Sequence, residues 1–228
     1  MKPADPANKQ TVVIFDLDST ITKKDTYVAF LISLLRKYPV RLIRCGFLPI
    51  AIILHKTGLK DNSWLKETFL KAIAGGLNKA QLDNCADHFL KIILTQGIHS
   101  KALQKIQQHQ QANHKLVLAS ASFDFYVEKL GRQLGFDTII CTQSTWDGQN
   151  KLTGKIDGYN CYGVNKLNRL MDYFEQDRAT LFLIGYSDHH SDKPFLNWVD
   201  QAIAVNPTNK LQQIALQNNF SIENWGVD

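Results

Sequence analysis

Short apolar runs rich in β-branched residues, each separated from the next by a helical pattern, constrain the fold of this 228-residue chain most strongly. After residue 115 the pattern predicts strands at Leu116–Ala119, Thr138–Cys141, Leu181–Ile184 and Ala202–Val205. It predicts helices at Phe125–Leu134, Tyr162–Phe174 and Lys193–Val199, and no element in the glycine-bearing polar stretch through Gly148, Gly154 and Gly158. Such alternation is typical of a parallel sheet wrapped by helices.

One further strand precedes this region. Thr11–Phe15 is a short apolar run that stops at Asp16, as a buried parallel strand would. From about residue 24 to residue 113 the pattern is helical, broken at prolines and glycines, and no strand pattern occurs within it. The sequence therefore predicts an α/β fold with an all-helical cap inserted after the first strand. We expect the cap at residues 26–105 and the core domain at residues 1–25 and 106–228.

The cysteines and the N-terminus bear on the cellular compartment. Cys45, Cys85, Cys141 and Cys161 lie 40, 56 and 20 residues apart and form no CxxC pair. This spacing argues against structural zinc and against a disulfide scaffold, and it predicts reduced thiols. The first ten residues are polar, contain two prolines and lack the apolar core of a signal peptide. We therefore expect a cytoplasmic protein.

The positive charge of the chain is concentrated in one apolar segment. The net charge is +5, yet residues 26–60 contain six lysines and arginines and no Asp or Glu. Because the rest of the chain is nearly balanced, no nucleic-acid partner is predicted. The charge-free runs, Thr26–Leu35 and Cys45–Leu54, have ten residues each, whereas a bilayer span needs about 20. Two interpretations stay open: a buried helical pair with arginines at its rim, or a helix lying on an anionic membrane surface, peripheral at the inner face.

Polar side chains that could bind a ligand follow the predicted strands, where ligands of parallel sheets collect. The first set is DLDST, in which Asp16 and Asp18 come directly after a strand. In an extended continuation their carboxylates point the same way. Two carboxylates held close together either bind a hard cation or titrate as a coupled pair. Both uses fit phosphate chemistry.

Three further sets have weaker signals when taken singly. Ser120 and Ser122 follow the strand LVLA, where a hydroxyl before a helix could bind an anion or simply cap the helix. Lys166 stands near the start of a helix, where most lysines face solvent. Asp188 and Asp192, four residues apart in GYSDHHSD, could complete a magnesium site with Asp16 or could cap a helix.

The sequence lacks other common nucleotide-binding, hydrolase and metal-binding motifs. It contains no GxxxxGK[ST], since Gly154-Lys155 is followed by Ile156, and it contains no GxGxxG. GYSDH lacks the last glycine of the GxSxG nucleophile turn. His189 and His190 have no third ligand at a suitable spacing, so we interpret them as loop residues rather than zinc ligands.

In their order along the chain, DLDST, Ser120, Lys166 and the Asp188/Asp192 pair resemble the four motifs of the haloacid dehalogenase-like phosphatase superfamily. The helical insert resembles the cap of subfamily IB, which holds phosphoserine phosphatase. The segments LLRKYP, FLPIAIIL and GYSDHHSDKPFL are similar to those of phosphatidylglycerophosphatase C-like hydrolases. The resemblance implies a Rossmann-like core with a helical cap.

The resemblance also implies residue roles. Asp16 would be the nucleophile that forms an aspartyl-phosphate, and Asp18 the general acid and base. Mg²⁺ would be bound by the Asp16 carboxylate, the Asp18 backbone carbonyl and Asp188, with Asp192 supporting the site. Ser120 and Lys166 would hold phosphate oxygens. In phosphoserine phosphatases an acid shortly after the first motif holds the substrate, and Asp25 stands near that position.

Three functions follow as hypotheses. The first is a Mg²⁺-dependent phosphomonoesterase that acts on a phosphorylated small alcohol or a phospholipid headgroup. The second is phosphoserine phosphatase, although the later cap helices carry Lys66 and Lys71 where an arginine would be expected. The third is a non-catalytic protein that binds a membrane surface through residues 26–60.

Overall fold

A seven-stranded sheet forms the centre of the computed structural model, which describes residues 9–175 and 178–226. The residues 1–8, on which most of the signal-peptide argument depends, lie outside the described part. The strands, in chain order, are β1 (Gln10–Phe15), β2 (Lys115–Phe123), β3 (Thr138–Trp146), β4 (Leu152–Asp157), β5 (Leu181–Ser187), β6 (Gln201–Val205) and β7 (Ser221–Glu223). Their order in the sheet is β4-β3-β2-β1-β5-β6-β7, and every pair is parallel except β3 with β4.

Nine α-helices occur in the described residues. Five precede β2: α1 (Thr26–Lys37), α2 (Leu48–Lys56), α3 (Asn62–Ile73), α4 (Lys79–Ile92) and α5 (Ser100–Gln111). The others are α6 (Asp124–Gln133), α7 (Val164–Phe174), α8 (Lys193–Trp198) and α9 (Asn209–Asn218). The predicted α/β class with a Rossmann-like parallel sheet is therefore confirmed.

The central strand β1 separates two apolar cores. Val13 and Phe15 face the core that contains the helices of the insert, and Val12 and Ile14 face the core built with α7, α8 and α9. All four side chains are fully buried. Because both faces of β1 are covered, its sequence is a continuous apolar run instead of an alternating one.

The helices after β1 pack on one another and on the sheet. Phe30 of α1 stacks on Tyr126 of α6 with ring centroids 5.0 Å apart, and it meets Phe89 of α4 edge to face. His109 of α5 contacts the ring of Phe15 in β1. The division into a core and a cap at residues 26–105 stays a prediction.

The structure adds elements that the sequence analysis does not predict. The polar stretch around Gly154 contains β4, which pairs antiparallel with an extended β3. Here the strand signal is weak because β4 is an edge strand that mixes apolar and polar residues around Gly154. Beyond Val205, α9 and β7 complete the sheet edge.

The interpretation of residues 26–60 as a buried helical pair is wrong for much of the segment. The inner face of α1 is buried through Phe30, Leu31 and Leu34. The following 3₁₀ helix, Pro39–Cys45, has no buried residue, and α2 buries only Leu48 and Ala51. In the described part of the chain, no helix combines the length and the apolarity that crossing a bilayer requires.

The four cysteines are free. Cys85, Cys141 and Cys161 are buried, and Cys45 is half-buried. The prediction of unpaired thiols is therefore confirmed.

Candidate functional site

The loop after β1 brings its polar side chains to one point. The Asp16 backbone N–H donates to the carbonyl of Tyr186 at 3.0 Å, which continues the pairing of β1 with β5. The loop then turns back, and the N–H groups of Ile21 and Thr22 both donate to the carbonyl of Leu17. Ser19 has a φ of 62°, in the left-handed region, which permits this tight turn.

Lys166 of α7 joins two of the predicted acids in a buried ion triad. Its Nζ lies 2.7 Å from Asp16 Oδ1 and 2.7 Å from Asp192 Oδ2. The lysine is 2% exposed, so the pairing takes place almost without water. Burial alone would lower the pKa of Lys166, but the carboxylates of Asp16 and Asp192 outweigh burial and raise that pKa above its usual range.

Asp188 joins this group through Thr20. The Thr20 hydroxyl lies 3.2 Å from Asp16 Oδ2 and 3.2 Å from Asp188 Oδ1. Burial and the nearby Asp192 raise the pKa of Asp188 to about 7. Burial also raises the pKa of Asp16, against the lowering effect of Lys166, and the neighbouring carboxylates raise it further. The cluster therefore places three carboxyl groups, those of Asp16, Asp188 and Asp192, around one lysine.

Asp18 is held by side chains from two other elements. Its Oδ1 accepts from the Thr26 backbone N–H at 2.6 Å and from the Thr26 hydroxyl at 2.5 Å. Its Oδ2 accepts from the Ser122 hydroxyl at 2.6 Å. Three short hydrogen bonds to one carboxylate fix its orientation beside Asp16.

The two serines at the end of β2 have different surroundings. Ser120 is fully buried, and its hydroxyl accepts from the backbone N–H of Ser122 at 3.0 Å. Ala121 and Ser122 line the cavity at the site, whereas Ser120 is not among the described residues that line it. The phosphate-binding role of Ser120 stays a prediction.

A cavity of about 470 Å³ contains this cluster. The residues that line it include all four acids of the two paired motifs together with Lys166, Asp25 and Lys66. Most of its apolar lining comes from the helices between β1 and β2, through Tyr27, Val28, Leu65 and Phe69. A substrate in this cavity would therefore contact both the charged side chains that follow β1 and β5 and apolar side chains of these helices.

Lys66 of α3 contributes a cation to the cavity. Its ammonium donates to the Ala121 carbonyl and lies 5.2 Å from the ring centre of Tyr27 and 5.3 Å from that of Phe123. Burial lowers its pKa to about 8, against the raising effect of Asp18 and Asp25. Asp25 caps α1 by accepting from the Val28 N–H at 2.8 Å, and burial raises its pKa.

The donor set fits a magnesium ion. Among the described residues, no three His, Cys, Asp or Glu side chains are grouped as a self-sufficient metal site. Mg²⁺ does not need such a group, since it takes one or two carboxylates and keeps waters for its other positions. Asp16 and Asp188 supply two carboxylates that approach the same hydroxyl, and three carboxyl groups around one ammonium leave room for a second cation there.

Three of the positioning side chains could not be assigned a role from the sequence. Thr20 lies within DLDST, and its place in that motif was the available signal. Ser187, which donates to Asp192 Oδ2 at 2.8 Å, lies within GYSDHHSD, and its place in that motif was likewise the available signal. Thr26 carried no signal, because its contact with Asp18 depends on the path of the loop.

Comparison with known proteins gives distant relatives along most of the chain. The inhibition of morphological differentiation protein of Streptomyces azureus is 26% identical over 222 residues, which cover 93% of this chain and 78% of that protein. The histidinol-phosphatase of Neisseria meningitidis serogroup C is 24% identical over 232 residues, covering 95% of this chain and 99% of the relative.

A solved structure supports the fold. The crystal structure of a protein of unknown function from Bordetella pertussis Tohama I matches with a TM-score of 0.82 at 20% identity, covering 96% of this chain and 100% of the other. A sequence model of the family described as haloacid dehalogenase-like hydrolase matches residues 13–197. That span contains all four strand-end motifs.

Proposed function

The chain belongs to the haloacid dehalogenase-like hydrolases, and from this membership we propose that it is a Mg²⁺-dependent phosphomonoesterase with Asp16 as its nucleophile. The observation that carries the proposal is the ion triad of Asp16, Lys166 and Asp192 beside a fixed Asp18. The chain is an enzyme, so the hypothesis of a non-catalytic surface protein is set aside.

Asp16 is prepared for attack on phosphorus. Lys166 donates to its Oδ1 and Thr20 to its Oδ2, so the carboxylate plane is held by both oxygens. A carboxylate oxygen of Asp16 forms a bond to phosphorus while the bond from phosphorus to the leaving oxygen breaks. The product is an aspartyl-phosphate. The Lys166 ammonium offsets the negative charge of the transferring group.

Asp18 handles the proton in both half-reactions. It first gives a proton to the leaving alkoxide oxygen, which releases the alcohol. It then takes a proton from a water whose oxygen attacks phosphorus, and the bond between Asp16 and phosphorus breaks to give inorganic phosphate. Thr26 and Ser122 keep Asp18 oriented toward the cavity throughout.

The Asp16 carboxylate, the Asp18 backbone carbonyl and Asp188 would hold Mg²⁺, with Asp192 as support. When bound, the ion supplies positive charge that polarises the phosphoryl oxygens. Ser120 at the end of β2 is the proposed hydroxyl donor to a phosphate oxygen.

The cavity favours a substrate that is larger than the phosphate group alone. Asp25 and Lys66 present opposite charges next to apolar side chains of the insert. A phosphorylated small alcohol or a phospholipid headgroup fits this mixture. Phosphoserine is the second candidate, with Asp25 for its amino group and Lys66 for its carboxylate. The similarity to a histidinol-phosphatase adds a phosphorylated amino alcohol to the compounds worth testing.

Hydrolysis of an aryl phosphate by the purified protein tests the reaction. We expect turnover with Mg²⁺, loss of turnover after treatment with a chelator, and a decrease of at least about 10³-fold in Asp16→Asn. Asp157→Asn is the matched control, since Asp157 is exposed at the end of β4. Unchanged turnover in Asp16→Asn would disprove the proposed nucleophile.

A comparison of kcat/KM then ranks the substrates. The panel contains phosphoserine, histidinol phosphate and phosphatidylglycerophosphate in detergent. A preference for phosphoserine would replace the first substrate class with the second and would leave the reaction itself unchanged.

A further inference from the structure

Exposed apolar side chains are concentrated on the first part of the insert. Of the 19 large hydrophobic residues exposed in the described part of the chain, ten lie between residues 28 and 59. They are Val28, Ile32, Val40, Leu42, Ile43, Phe47, Ile50, Ile52, Ile53 and Leu59. Ile43 is 83% exposed and Ile53 60%. Most of these exposed residues belong to three consecutive helical elements, α1, the 3₁₀ helix Pro39–Cys45 and α2, and exposed apolar side chains concentrated in this way mark an interaction site.

Basic side chains accompany these apolar ones. Arg36, Lys37, Arg44, Lys56 and Lys60 are exposed, and no acidic residue occurs from residue 26 to residue 60. We call the exposed side chains of residues 28–60 the apolar-basic surface. Its composition combines the two features by which a protein associates with anionic lipid.

The apolar-basic surface is anchored to the rest of the insert. The guanidinium of Arg41 donates to the carbonyls of Ile73 and Gly75 at 3.0 Å each. Arg44 donates to the carbonyl of Lys71 at 2.9 Å and to that of Gly75 at 3.1 Å. These bonds attach the 3₁₀ helix Pro39–Cys45 to the end of α3. The outward position of Ile43 is therefore held by tertiary contacts.

From this surface we infer that the protein docks on an anionic lipid bilayer through the apolar-basic surface. A second copy of the chain fits less well, because a twofold interface would place the same five basic residues against each other. Anionic headgroups supply the opposite charge, and the interfacial region accepts the exposed isoleucines.

The docking surface adjoins the cavity. Val28 is exposed and also lines the cavity, and Ile32 follows it one helical turn later on α1. In the docked protein the cavity would open next to the lipid surface. The position of the cavity matters for the substrate only through the proposed phosphatase function, on which that part of the inference rests, whereas the docking itself does not depend on that function.

Co-sedimentation with vesicles tests the docking. The whole protein is mixed with vesicles of phosphatidylcholine containing about one third phosphatidylserine, or of phosphatidylcholine alone. We expect the protein to bind the vesicles that contain phosphatidylserine, with an affinity that falls at least about tenfold as added salt screens the five basic side chains. We expect little binding to vesicles of phosphatidylcholine alone. The variant Ile43→Ser/Ile53→Ser and the variant Lys56→Glu/Lys60→Glu should each lose at least about tenfold in vesicle affinity.

The control variant is Leu216→Ser/Lys151→Glu, which changes an exposed leucine and an exposed lysine on other elements. It should bind like the wild type. All variants are assayed on a water-soluble aryl phosphate, so loss of docking and loss of the reaction are separate readouts. Equal vesicle binding by the wild type and both surface variants would overturn the inference. A dimer in solution that the Ile43→Ser/Ile53→Ser variant abolishes would also overturn it, because a second copy would then cover the surface.

Discussion

Replacing Lys166 with methionine removes the positive charge from the centre of the candidate site and keeps most of the side-chain volume. Both Asp16 and Asp192 would then lose a partner that lies 2.7 Å away at a position only 2% exposed. Breaking a buried ion pair by removing one partner costs about 3–5 kcal/mol. Because a domain of this kind is stable by about 5–15 kcal/mol, the loss is a large part of the total.

The penalty should depend on pH in a defined direction. Lys166 lowers the pKa of Asp16, so its removal raises that pKa further above the value in the unfolded chain. A carboxyl group with a raised pKa in the folded state binds a proton more readily when folded, and stability then increases as pH falls. The destabilisation caused by Lys166→Met should therefore be largest near pH 7 and smaller near pH 5.

Urea unfolding with a chelator present measures this effect, since no divalent cation can then substitute for the lysine. Lys151→Met is the matched control, because Lys151 is exposed in the turn before β4. It should change the free energy of unfolding by less than about 0.5 kcal/mol. A Lys166→Met variant within about 1 kcal/mol of the wild type at pH 7 would refute the ion triad as a stabilising element.

Three further variants test other contacts. Thr26→Val removes the hydroxyl that donates to the proposed general acid and that also contacts the Tyr126 hydroxyl. We expect kcat on an aryl phosphate to fall about tenfold and the free energy of unfolding to fall by about 1 kcal/mol; an unchanged kcat would contradict the positioning role. Burial lowers the pKa of His109 to about 4. The unfolded chain therefore binds a proton at His109 below about pH 6.5 while the folded chain does not, so the stability from this histidine is complete above pH 6.5 and is lost as pH falls toward 4. The variant His109→Gln should reduce the loss of unfolding free energy between pH 7 and pH 5 by about 1–2 kcal/mol after allowance for solvent screening, and equal losses in the variant and the wild type would refute this. Gly154→Ala places a methyl group 2.5 Å from the Lys71 Cα at a φ of +82° and should cost about 2 kcal/mol or more in thermal unfolding, whereas Gly148→Ala, with no atom nearby, should be neutral.

The elements that could be predicted have a local physical cause. β1, β5 and β6 are buried on both faces, and such strands need continuous apolar runs that are visible in any short window. β4 was not predicted, because it is an edge strand in which polar and apolar side chains are mixed. Its position depends on pairing with β3 and on contact with α3.

The candidate site also has a part that local sequence predicts and a part that it does not. DLDST and GYSDHHSD follow strands, so their placement at the carboxyl ends of the strands follows from the fold class alone. The distances between their side chains and the partners of those side chains do not follow from the fold class. Lys166 meets Asp16 across 150 positions of sequence, and Ser122 meets Asp18 across 104. Those contacts exist because β1 lies between β2 and β5 in the sheet.

The α/β class, the acids that follow the strands and the charge asymmetry of residues 26–60 can be read from composition and local periodicity. The side chains that hold Asp18, the burial of Lys166 between two carboxylates and the outward position of the apolar residues around Ile43 appear only in the folded chain. Burial and hydrogen-bond partners depend on segments that are distant in sequence, and the order of the strands brings those segments together.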